Sequence, residues 1–262
     1  MLKLYKMHGI GNKFIIYDLR QQENIKIPSE LDKNLDYDQK IILLNSKKAD
    51  ILMKIYNADG SEASACGNAT RCVASIIAKE TRKDNITIET PNRILQVKKI
   101  TDTKYQVNMG KPLLSWDKIA VIKDCDTQNL ALLTDPKFTK GFALNIGNPH
   151  LVFFVDDIDN ISLKEEVSFL ENHPLFKYGV NINIAQIISK NEIKLKTWER
   201  GAGETLSCGT GACATGYVAY HKKLTNNNIT ISMPGGTLDI KISNNNEIYM
   251  SGETELEYYY EF

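Results

Sequence analysis

Residues 199–213 read E-R-G-A-G-E-T-L-S-C-G-T-G-A-C, which predicts a tight glycine-rich turn opening onto a helix. The cysteine of this stretch, Cys208, lies where the helix dipole and the first backbone N–H groups create a positive potential. Such a position binds a carboxylate and lowers the pKa of a thiol. We therefore expect Cys208 to be a functional thiol, followed by an amphipathic helix over Ala212–Lys223.

The same arrangement occurs earlier in the chain. Residues 59–72 read D-G-S-E-A-S-A-C-G-N-A-T-R-C, and Cys66 is followed by a helix-like stretch to about Glu80. Other segments of the two halves match at a nearly constant offset, which indicates an internal duplication. The matching pairs include Ile10-Gly11-Asn12 with Ile146-Gly147-Asn148, and Asn85-Ile86-Thr87-Ile88 with Asn228-Ile229-Thr230-Ile231.

This duplication predicts an α/β (α+β) fold of two pseudo-symmetric domains. Each is expected to be a curved mixed or antiparallel sheet wrapped around one main helix, because short strand-like runs dominate the rest of the sequence. We expect the first domain over residues 1–112, joined by the C-terminal strand 251–262, and the second over residues 113–250. Two further helices are predicted, over Ser162–Asn172 with Ser162 and Glu165 as a capping box, and over Asp38–Leu44.

Composition restricts the classes of function. The chain has 262 residues, 42% of them hydrophobic and 24% charged, with a formal net charge of zero. This balance gives no reason to expect nucleic acid or an anionic membrane as partner. No apolar run is long enough to cross a membrane, so we expect a cytoplasmic protein. The odd number of cysteines, five, favours free thiols over a disulfide framework.

Two equivalent domains tend to pack about a pseudo-two-fold axis, which would bring Cys66 and Cys208 to face each other across a ligand cleft. A carbon whose carboxylate is held between the two helix ends would then have one sulfur on each face. Removing a proton from one face and delivering one to the other inverts a stereocentre. This is general acid–base catalysis by one thiolate and one thiol.

Three other interpretations of the cysteines remain open at this point. Glycines and cysteines at helix starts often reflect tight packing only. A zinc site is disfavoured because the intervals from Cys66 to Cys72 and from Cys208 to Cys213 are wider than the usual ligand spacing. A redox dithiol lacks a C-x-x-C motif. We expect Cys72 and Cys213 to be small core residues, and Cys125 to lie in a polar loop without a role.

Several segments resemble the diaminopimelate epimerase family. They are N-A-D-G-S-E (57–62), C-G-N-A-T-R-C (66–72), G-N-P-H (147–150) and the stretch 199–213, and the resemblance runs over essentially the whole chain. It implies two pseudo-symmetric α/β domains and the interconversion of LL- and meso-diaminopimelate, for lysine and peptidoglycan precursors. It implies no pyridoxal phosphate or other cofactor, no metal, and diaminopimelate as the small-molecule partner.

The resemblance also assigns roles to individual positions. Cys66 and Cys208 match the two acid–base cysteines, and His150 and Glu199 match residues that tune or orient them. Chemically, the guanidinium of Arg200 suits a distal carboxylate of the substrate. The positions that match substrate contacts are Asn12, Gln39, Asn57, Gly67, Asn68, Asn148, Asn181, Glu199, Arg200, Gly209 and Thr210.

The sequence departs from the family pattern at two places. Lys13 stands where the family has Asp, and Asn34-Leu35-Asp36 replaces a Gly-x-Gly segment before Asp38-Gln39. A related racemase with another substrate, such as a proline-type amino acid, is the alternative function, although Arg200 favours a substrate with a distal charge. The C-terminal run Tyr258–Tyr260 suggests either a buried or paired surface or a solvated edge strand, and we expect a homodimer.

Overall fold

The computed structural model describes residues 2–21, 35–63 and 66–261. The described chain divides into two compact units, the first comprising residues 1–108 and 251–262 and the second residues 109–250. The C-terminal segment therefore belongs to the first unit. Asn34, one of the positions that depart from the family pattern, lies outside the described residues.

The first unit is a mixed sheet around one long helix, α1 (Gly67–Thr81). In spatial order its strands run β17, β1, β2, β3, β4, β6, β7, β8, and the short β5 pairs with the end of β4. The β2–β3 and β4–β6 pairs are parallel and the others antiparallel. The strands are β1 (Lys3–Gly9), β2 (Asn12–Asp18), β3 (Gln39–Leu44), β4 (Ile51–Asn57), β5 (Glu62–Ala63), β6 (Asn85–Glu89), β7 (Ile94–Lys99), β8 (Lys104–Gly110) and β17 (Glu255–Glu261).

The second unit repeats this connectivity around α4 (Gly209–His221). The strand order is β9, β10, β11, β12, β14, β15, with the short β13 on β12, and β10–β11 and β12–β14 are the parallel pairs. Strand β16 follows β15 and leads back to the first unit. These strands are β9 (Phe142–Asn145), β10 (Pro149–Phe154), β11 (Asn181–Ser189), β12 (Glu192–Glu199), β13 (Gly203–Thr205), β14 (Asn228–Met233), β15 (Gly236–Ile242) and β16 (Ile248–Glu253).

The two units therefore share the same order of secondary-structure elements. A hairpin is followed by a parallel pair, an antiparallel pair, a short strand, the main helix, a second parallel pair and a final hairpin. The fold class predicted from the sequence repeat, a duplicated α/β arrangement with one main helix in each copy, is confirmed.

Both main helices begin directly after a cysteine and are enclosed. Residues 67–78 of α1 and residues 209–219 of α4 are all buried. The amphipathic helix expected over Ala212–Lys223 therefore begins three residues earlier and is covered on every side, as is typical of a helix inside a sheet. Among the described residues, no helix is long and apolar enough to cross a membrane.

The helix predicted over Asp38–Leu44 is wrong. Residues Gln39–Leu44 form β3, which pairs in parallel with β2. The run Q-K-I-I-L-L is too short to show a clear period, and pairing with a strand some 25 residues away decides its conformation. Long-range contacts of this kind override local propensity.

The helix predicted over Ser162–Asn172 is divided. It consists of α3 (Leu163–Glu166) and a 3-10 helix over Ser168–Asn172, because Val167 between them leaves helical geometry at φ −134°. The expected capping box differs as well, since the backbone N–H of Ser162 donates to Glu166 rather than to Glu165. A short helix α2 (Trp116–Ile119), which had no clear signal in the sequence, follows the first unit.

Candidate active site

Cys66 is the N-cap residue of α1, with extended backbone angles of φ −148° and ψ 111°. Its sulfur accepts a hydrogen bond from the backbone N–H of Ala69 at 3.5 Å, and its thiol donates to Oδ1 of Asn12 at 3.7 Å. The side chain is partly exposed. A sulfur at this position lies at the positive end of the helix dipole, where an anion is stabilised.

The two departures from the family pattern meet in the structure. Lys13 forms an ion pair with Asp36, so the unexpected cation and the unexpected anion compensate each other. The carboxylate of Asp38 accepts hydrogen bonds from Nδ2 of Asn12 and from the backbone N–H of Lys13, both at 2.8 Å. Because Nδ2 of Asn12 donates to Asp38, Oδ1 of the same amide is the atom that accepts from Cys66.

Gln39 and Asn57 lie on neighbouring strands and bind each other. Their Cα atoms are paired in the β3–β4 register, and Nε2 of Gln39 donates to Oδ1 of Asn57 at 2.9 Å. Nδ2 of Asn57 donates to the hydroxyl of Ser61. Oε1 of Gln39 is buried and has no hydrogen-bond partner among the described residues. A buried acceptor without a partner is costly unless a ligand supplies a donor.

A fully buried arginine holds the first turn of α1. Nη2 of Arg71 donates to Oδ1 of Asn68 at 2.9 Å, and Nη1 donates to the carbonyl oxygen of Gly67 at 3.5 Å. Gly9 leaves room for this guanidinium, since a Cβ on it would lie 3.3 Å from Nη2. The side chain of Asn68 is fixed as a result, and a positive charge is buried at the first turn of α1.

Cys208 repeats the N-cap geometry at the start of α4, with φ −127° and ψ 108°. Its sulfur accepts a hydrogen bond from the backbone N–H of Gly211 at 3.4 Å, and its thiol donates to Oε2 of Glu199 at 3.1 Å. Oε1 of Glu199 accepts from the hydroxyl of Thr205 at 2.7 Å. The hydroxyl of Thr210 lies 3.6 Å from the sulfur. The buried thiol is thus held between a helix start and a carboxylate.

This environment reverses the expectation that the helix start lowers the thiol pKa. Burial raises the pKa of Cys208 well above its ordinary value, and the Glu199 carboxylate raises it further. The hydrogen bonds from Thr210 and from Gly211 act in the opposite direction but are outweighed. Since a neighbouring negative charge opposes formation of a thiolate, Cys208 is a protonated thiol at neutral pH.

His150 is completely buried between two asparagines. Its Nε2 lies 3.0 Å from Oδ1 of Asn148, and its Nδ1 lies 3.1 Å from Nδ2 of Asn183. Asn183 also accepts a hydrogen bond from the hydroxyl of Thr197 at 3.2 Å. Burial lowers the pKa of His150 to about 3, and Arg200 contributes in the same direction. The imidazole is therefore neutral at physiological pH.

Asn181 and Arg200 are joined through the backbone. The backbone N–H of Arg200 donates to Oδ1 of Asn181, and Nδ2 of Asn181 donates to the carbonyl oxygen of Pro149, both at 2.9 Å. The exposed guanidinium of Arg200 donates from Nη1 to the carbonyl oxygen of Tyr178 at 2.5 Å. A guanidinium has five N–H donors, so this bond leaves others for a ligand.

All five cysteines lie in the described part of the chain, and none of them forms a disulfide. Cys72 and Cys213 are completely buried on the two helices, as expected for core residues, and burial raises the pKa of Cys72 to about 12. Cys125 is partly exposed and packs against the core of the second unit. No group of three or more His, Cys, Asp or Glu side chains suited to a metal ion occurs within the described ranges.

Sequence reasoning missed five polar residues, of which four contact these positions and one, Thr197, contacts Asn183. Only Asn183 had a usable signal, because it follows Asn181 at the period-two spacing that places both on one face of a strand. The others meet their partners through strand register or helix packing, which the sequence alone does not reveal. The missed residues are Asp38, Arg71, Asn183, Thr197 and Thr205.

Comparison with known sequences agrees along almost the whole chain. The sequence model of the family described as diaminopimelate epimerase matches residues 4–114 and 142–257. The diaminopimelate epimerase of Wolbachia sp. subsp. Drosophila simulans (strain wRi) is 44% identical over 255 residues, covering 95% of each chain. That of Pelagibacter ubique (strain HTCC1062) is 40% identical over 260 residues, covering 96% of this chain and 95% of the relative.

Solved structures with the same fold are more distant in sequence. A phenazine biosynthesis protein of the PhzF family from Bacillus anthracis superposes with a TM-score of 0.71 at 15% identity, covering 100% of this chain and 98% of that one. A hydroxyproline epimerase from Agrobacterium vitis, with bound trans-4-hydroxy-L-proline, gives a TM-score of 0.67 at 12% identity, with coverages of 99% and 91%. At such low identity these structures establish the fold alone.

Proposed function

The chain belongs to the diaminopimelate epimerase family, and from this premise we propose that it interconverts LL- and meso-2,6-diaminopimelate with two cysteines and no cofactor. The repeated cysteine N-cap carries the proposal. In each unit a thiol sulfur accepts a backbone N–H at the start of a buried helix. Packing alone gives no reason for the same reactive side chain at both equivalent positions.

The proposed reaction inverts one α-carbon by two proton transfers. The thiolate of Cys66 takes the α-proton, and the electron pair of the broken C–H bond is delocalised into the adjacent carboxylate. The thiol of Cys208 gives its proton to the opposite face of the carbon. Cys66 then carries the proton and Cys208 is the thiolate, which is the state required for the reverse direction. No electrons or leaving groups are exchanged, so the step needs no prosthetic group.

The contacts of the two thiols support this assignment of acid and base. The thiol of Cys208 donates to a carboxylate at 3.1 Å, whereas the contact of Cys66 with Asn12 is to a neutral amide oxygen at 3.7 Å. Glu199 therefore keeps the proton on Cys208 and is its pKa-tuning residue. The buried guanidinium of Arg71 behind the start of α1 favours an anion on the side of Cys66.

The helix starts are suited to the carboxylate at the reacting end of the substrate. Gly67 and Asn68 follow Cys66, and Gly209 and Thr210 follow Cys208, so their backbone N–H groups belong to the unsatisfied first turn of each helix. Such groups stabilise the negative charge that develops on the carboxylate when the α-proton leaves.

Polar side chains are proposed as further substrate contacts, and two of them suit the distal amino-acid group. Arg200 suits the distal carboxylate through its unused N–H donors, and the unpaired Oε1 of Gln39 suits a donor such as an ammonium. His150 is proposed as an orienting residue rather than a proton donor, because it is neutral and buried. The proposed substrate contacts besides the helix starts are Asn12, Gln39, Asn57, Asn148, Asn181, Glu199 and Arg200.

The alternative is an amino-acid racemase of the same fold with a different substrate. A hydroxyproline epimerase has a similar fold, so the fold alone does not select diaminopimelate as the substrate. The exposed guanidinium of Arg200, with donors to spare, favours a substrate that carries a second carboxylate. Comparison of LL-diaminopimelate with lysine and proline as substrates separates the two functions.

The decisive test is an assay of the purified protein with LL-diaminopimelate in deuterated water, without added metal or pyridoxal phosphate. We expect meso-diaminopimelate with deuterium at one α-carbon. Cys66→Ala and Cys208→Ala should each lower kcat/KM by ~10³-fold or more, because proton transfer on either face is then lost. Cys125→Ala is the matched control and should be fully active. Equal turnover of lysine and diaminopimelate would contradict the substrate, and an active Cys66→Ala or Cys208→Ala variant would contradict the mechanism.

We also propose that the protein is a cytoplasmic homodimer in the synthesis of lysine and peptidoglycan precursors. Strand β17 presents exposed apolar side chains, with Leu256 41%, Tyr259 40% and Tyr260 53% exposed. Such a strand along a sheet is a liability unless another chain covers it. Sedimentation velocity should give the mass of a dimer, and Tyr260→Lys should shift it towards the monomer. A wild-type protein that stays monomeric at micromolar concentration would contradict this proposal.

A further inference from the structure

Asn183 is a completely buried polar residue of β11 that neither the motifs nor the proposed reaction uses. Its side chain has partners at both ends. Nδ2 lies 3.3 Å from the carbonyl oxygen of Leu151, and Oδ1 accepts the hydroxyl of Thr197 at 3.2 Å. A backbone carbonyl only accepts hydrogen bonds, so the Leu151 contact fixes the orientation of the amide.

This orientation determines the tautomer of His150. Since Nδ2 of Asn183 is a donor, Nδ1 of His150 at 3.1 Å must accept and carries no proton. The proton of the neutral ring is then on Nε2, which donates to Oδ1 of Asn148 at 3.0 Å. Three side chains in series thus point their donors in one direction, from Asn183 through His150 to Asn148.

Asn148, the last amide in the series, has only its Nδ2 donor left to bind a ligand. Oδ1 of Asn148 is occupied by His150, while Nδ2 of Asn148 has no hydrogen-bond partner in the described part of the chain. The residue is partly exposed. We propose that Asn183 is a positioning residue that acts through the tautomer of His150 and makes Asn148 a hydrogen-bond donor to the substrate. This rests on the proposed function and assigns to Asn148 an acceptor on the substrate, namely a carboxylate oxygen rather than an ammonium.

The same side chain touches the helix start that carries Cys208. A Cβ on Gly211 would lie 2.5 Å from Oδ1 of Asn183 and 3.3 Å from Cβ of Cys208. The amide oxygen therefore occupies space that only a glycine at this position leaves open. Asn183 is held by packing as well as by hydrogen bonds, which is what a residue that fixes the orientation of others requires.

The first test measures the tautomer directly and needs no activity. Nitrogen-15 NMR of the protein labelled at histidine should show His150 with a protonated Nε2 and an unprotonated Nδ1. In Asn183→Asp, the carboxylate accepts rather than donates, so the proton should move to Nδ1. A wild-type ring protonated on Nδ1, or an Asn183→Asp ring that keeps its proton on Nε2, would overturn the proposal.

The second test is a double-mutant cycle on kcat/KM for LL-diaminopimelate, with Asn183→Leu, Asn148→Ala and the double variant. Asn183→Leu should cost roughly 10- to 100-fold, and the double variant should lose no more than Asn148→Ala alone, because Asn183 acts through Asn148. Asn227→Leu, which removes a partly buried asparagine bonded to the carbonyl oxygen of Ile242, is the control and should leave kcat/KM unchanged. Additive losses would mean a merely structural role.

The two tests also separate this inference from the proposed function. If the wild type does not epimerise diaminopimelate, the proposed function fails, while the NMR spectra still decide whether Asn183 sets the tautomer. If Asn183→Asp does not fold, the wild-type spectrum and the leucine cycle provide the answer. Melting temperatures recorded for every variant show whether a loss of activity accompanies a loss of stability.

Discussion

At the scale of single residues, the two proposed acid–base thiols differ in the group that accepts their protons. Cys208 donates to a carboxylate that is itself fixed by Thr205, and Cys66 to an amide whose other end is held by Asp38. Equivalent positions in a duplicated fold thus have different hydrogen-bond acceptors, one a carboxylate and one a neutral amide. This difference supports the proposed roles of Cys208 as the acid and Cys66 as the base.

Glu199→Gln tests this difference. Removing the negative charge should lower the pKa of Cys208, although burial still holds it above the ordinary value. In a Cys66→Ala background, the thiolate absorbance near 240 nm should therefore rise at a lower pH than with Glu199 present. Glu204→Gln, an exposed glutamate in the same turn, is the matched control and should leave the titration in place. An unchanged titration in Glu199→Gln would show that the carboxylate does not govern the thiol.

The sequence predicts the residues that belong to motifs and misses those that depend on register. Cys208 and Glu199 stand nine positions apart in one glycine-rich stretch, and the structure joins them directly. Thr197 meets Asn183 only because the two are paired across β11 and β12. Arg71 was visible in its motif, but its burial and its bond to Asn68 depend on the space left by Gly9.

At the scale of elements, a cysteine before a glycine predicts the start of each main helix correctly. An N-cap needs a side-chain acceptor and extended backbone angles, and both are local properties. The end of a helix and the class of a short apolar run are less local. Gln39–Leu44 becomes a strand because β2 and β4 flank it, and Ser162–Asn172 is interrupted because Val167 is drawn into the core.

The parallel pairs are elements that the sequence does not predict, since it predicts a helix where β3 lies and leaves the order of the strands open. Single-strand patterns identify β10 and β11 but do not state that they are parallel neighbours. The same connectivity occurs in the first unit, where β2 and β3 are also parallel neighbours. A repeated order of elements constrains the fold more strongly than any single segment.

At the scale of the whole molecule, stability against acid should depend on one buried imidazole. Burial lowers the pKa of His150 to about 3, whereas in the unfolded chain the ring titrates near its ordinary value of 6.5. Between these two values the unfolded chain binds a proton that the folded protein does not. The free energy of unfolding therefore falls as the pH is lowered through this window, and the contribution is fully present only above the unfolded value.

The drop expected from this one residue is about 2 kcal/mol between pH 6.5 and pH 5, since each unit of pH within the window is worth about 1.4 kcal/mol. The interval from pH 6.5 to pH 5 lies above the ordinary pKa values of carboxylates, so the imidazole dominates the slope there. Urea unfolding at several pH values should show the slope in the wild type and lose it in His150→Gln, whatever the overall stability of that variant. His173→Gln, which removes a less buried imidazole bonded to the N–H of Leu175, should keep the slope. A slope that survives in His150→Gln would mean that the folded protein binds a proton on His150 as readily as the unfolded chain does. The ring would then not be neutral in the fold, and the orientation inferred for Asn148 would lose its basis.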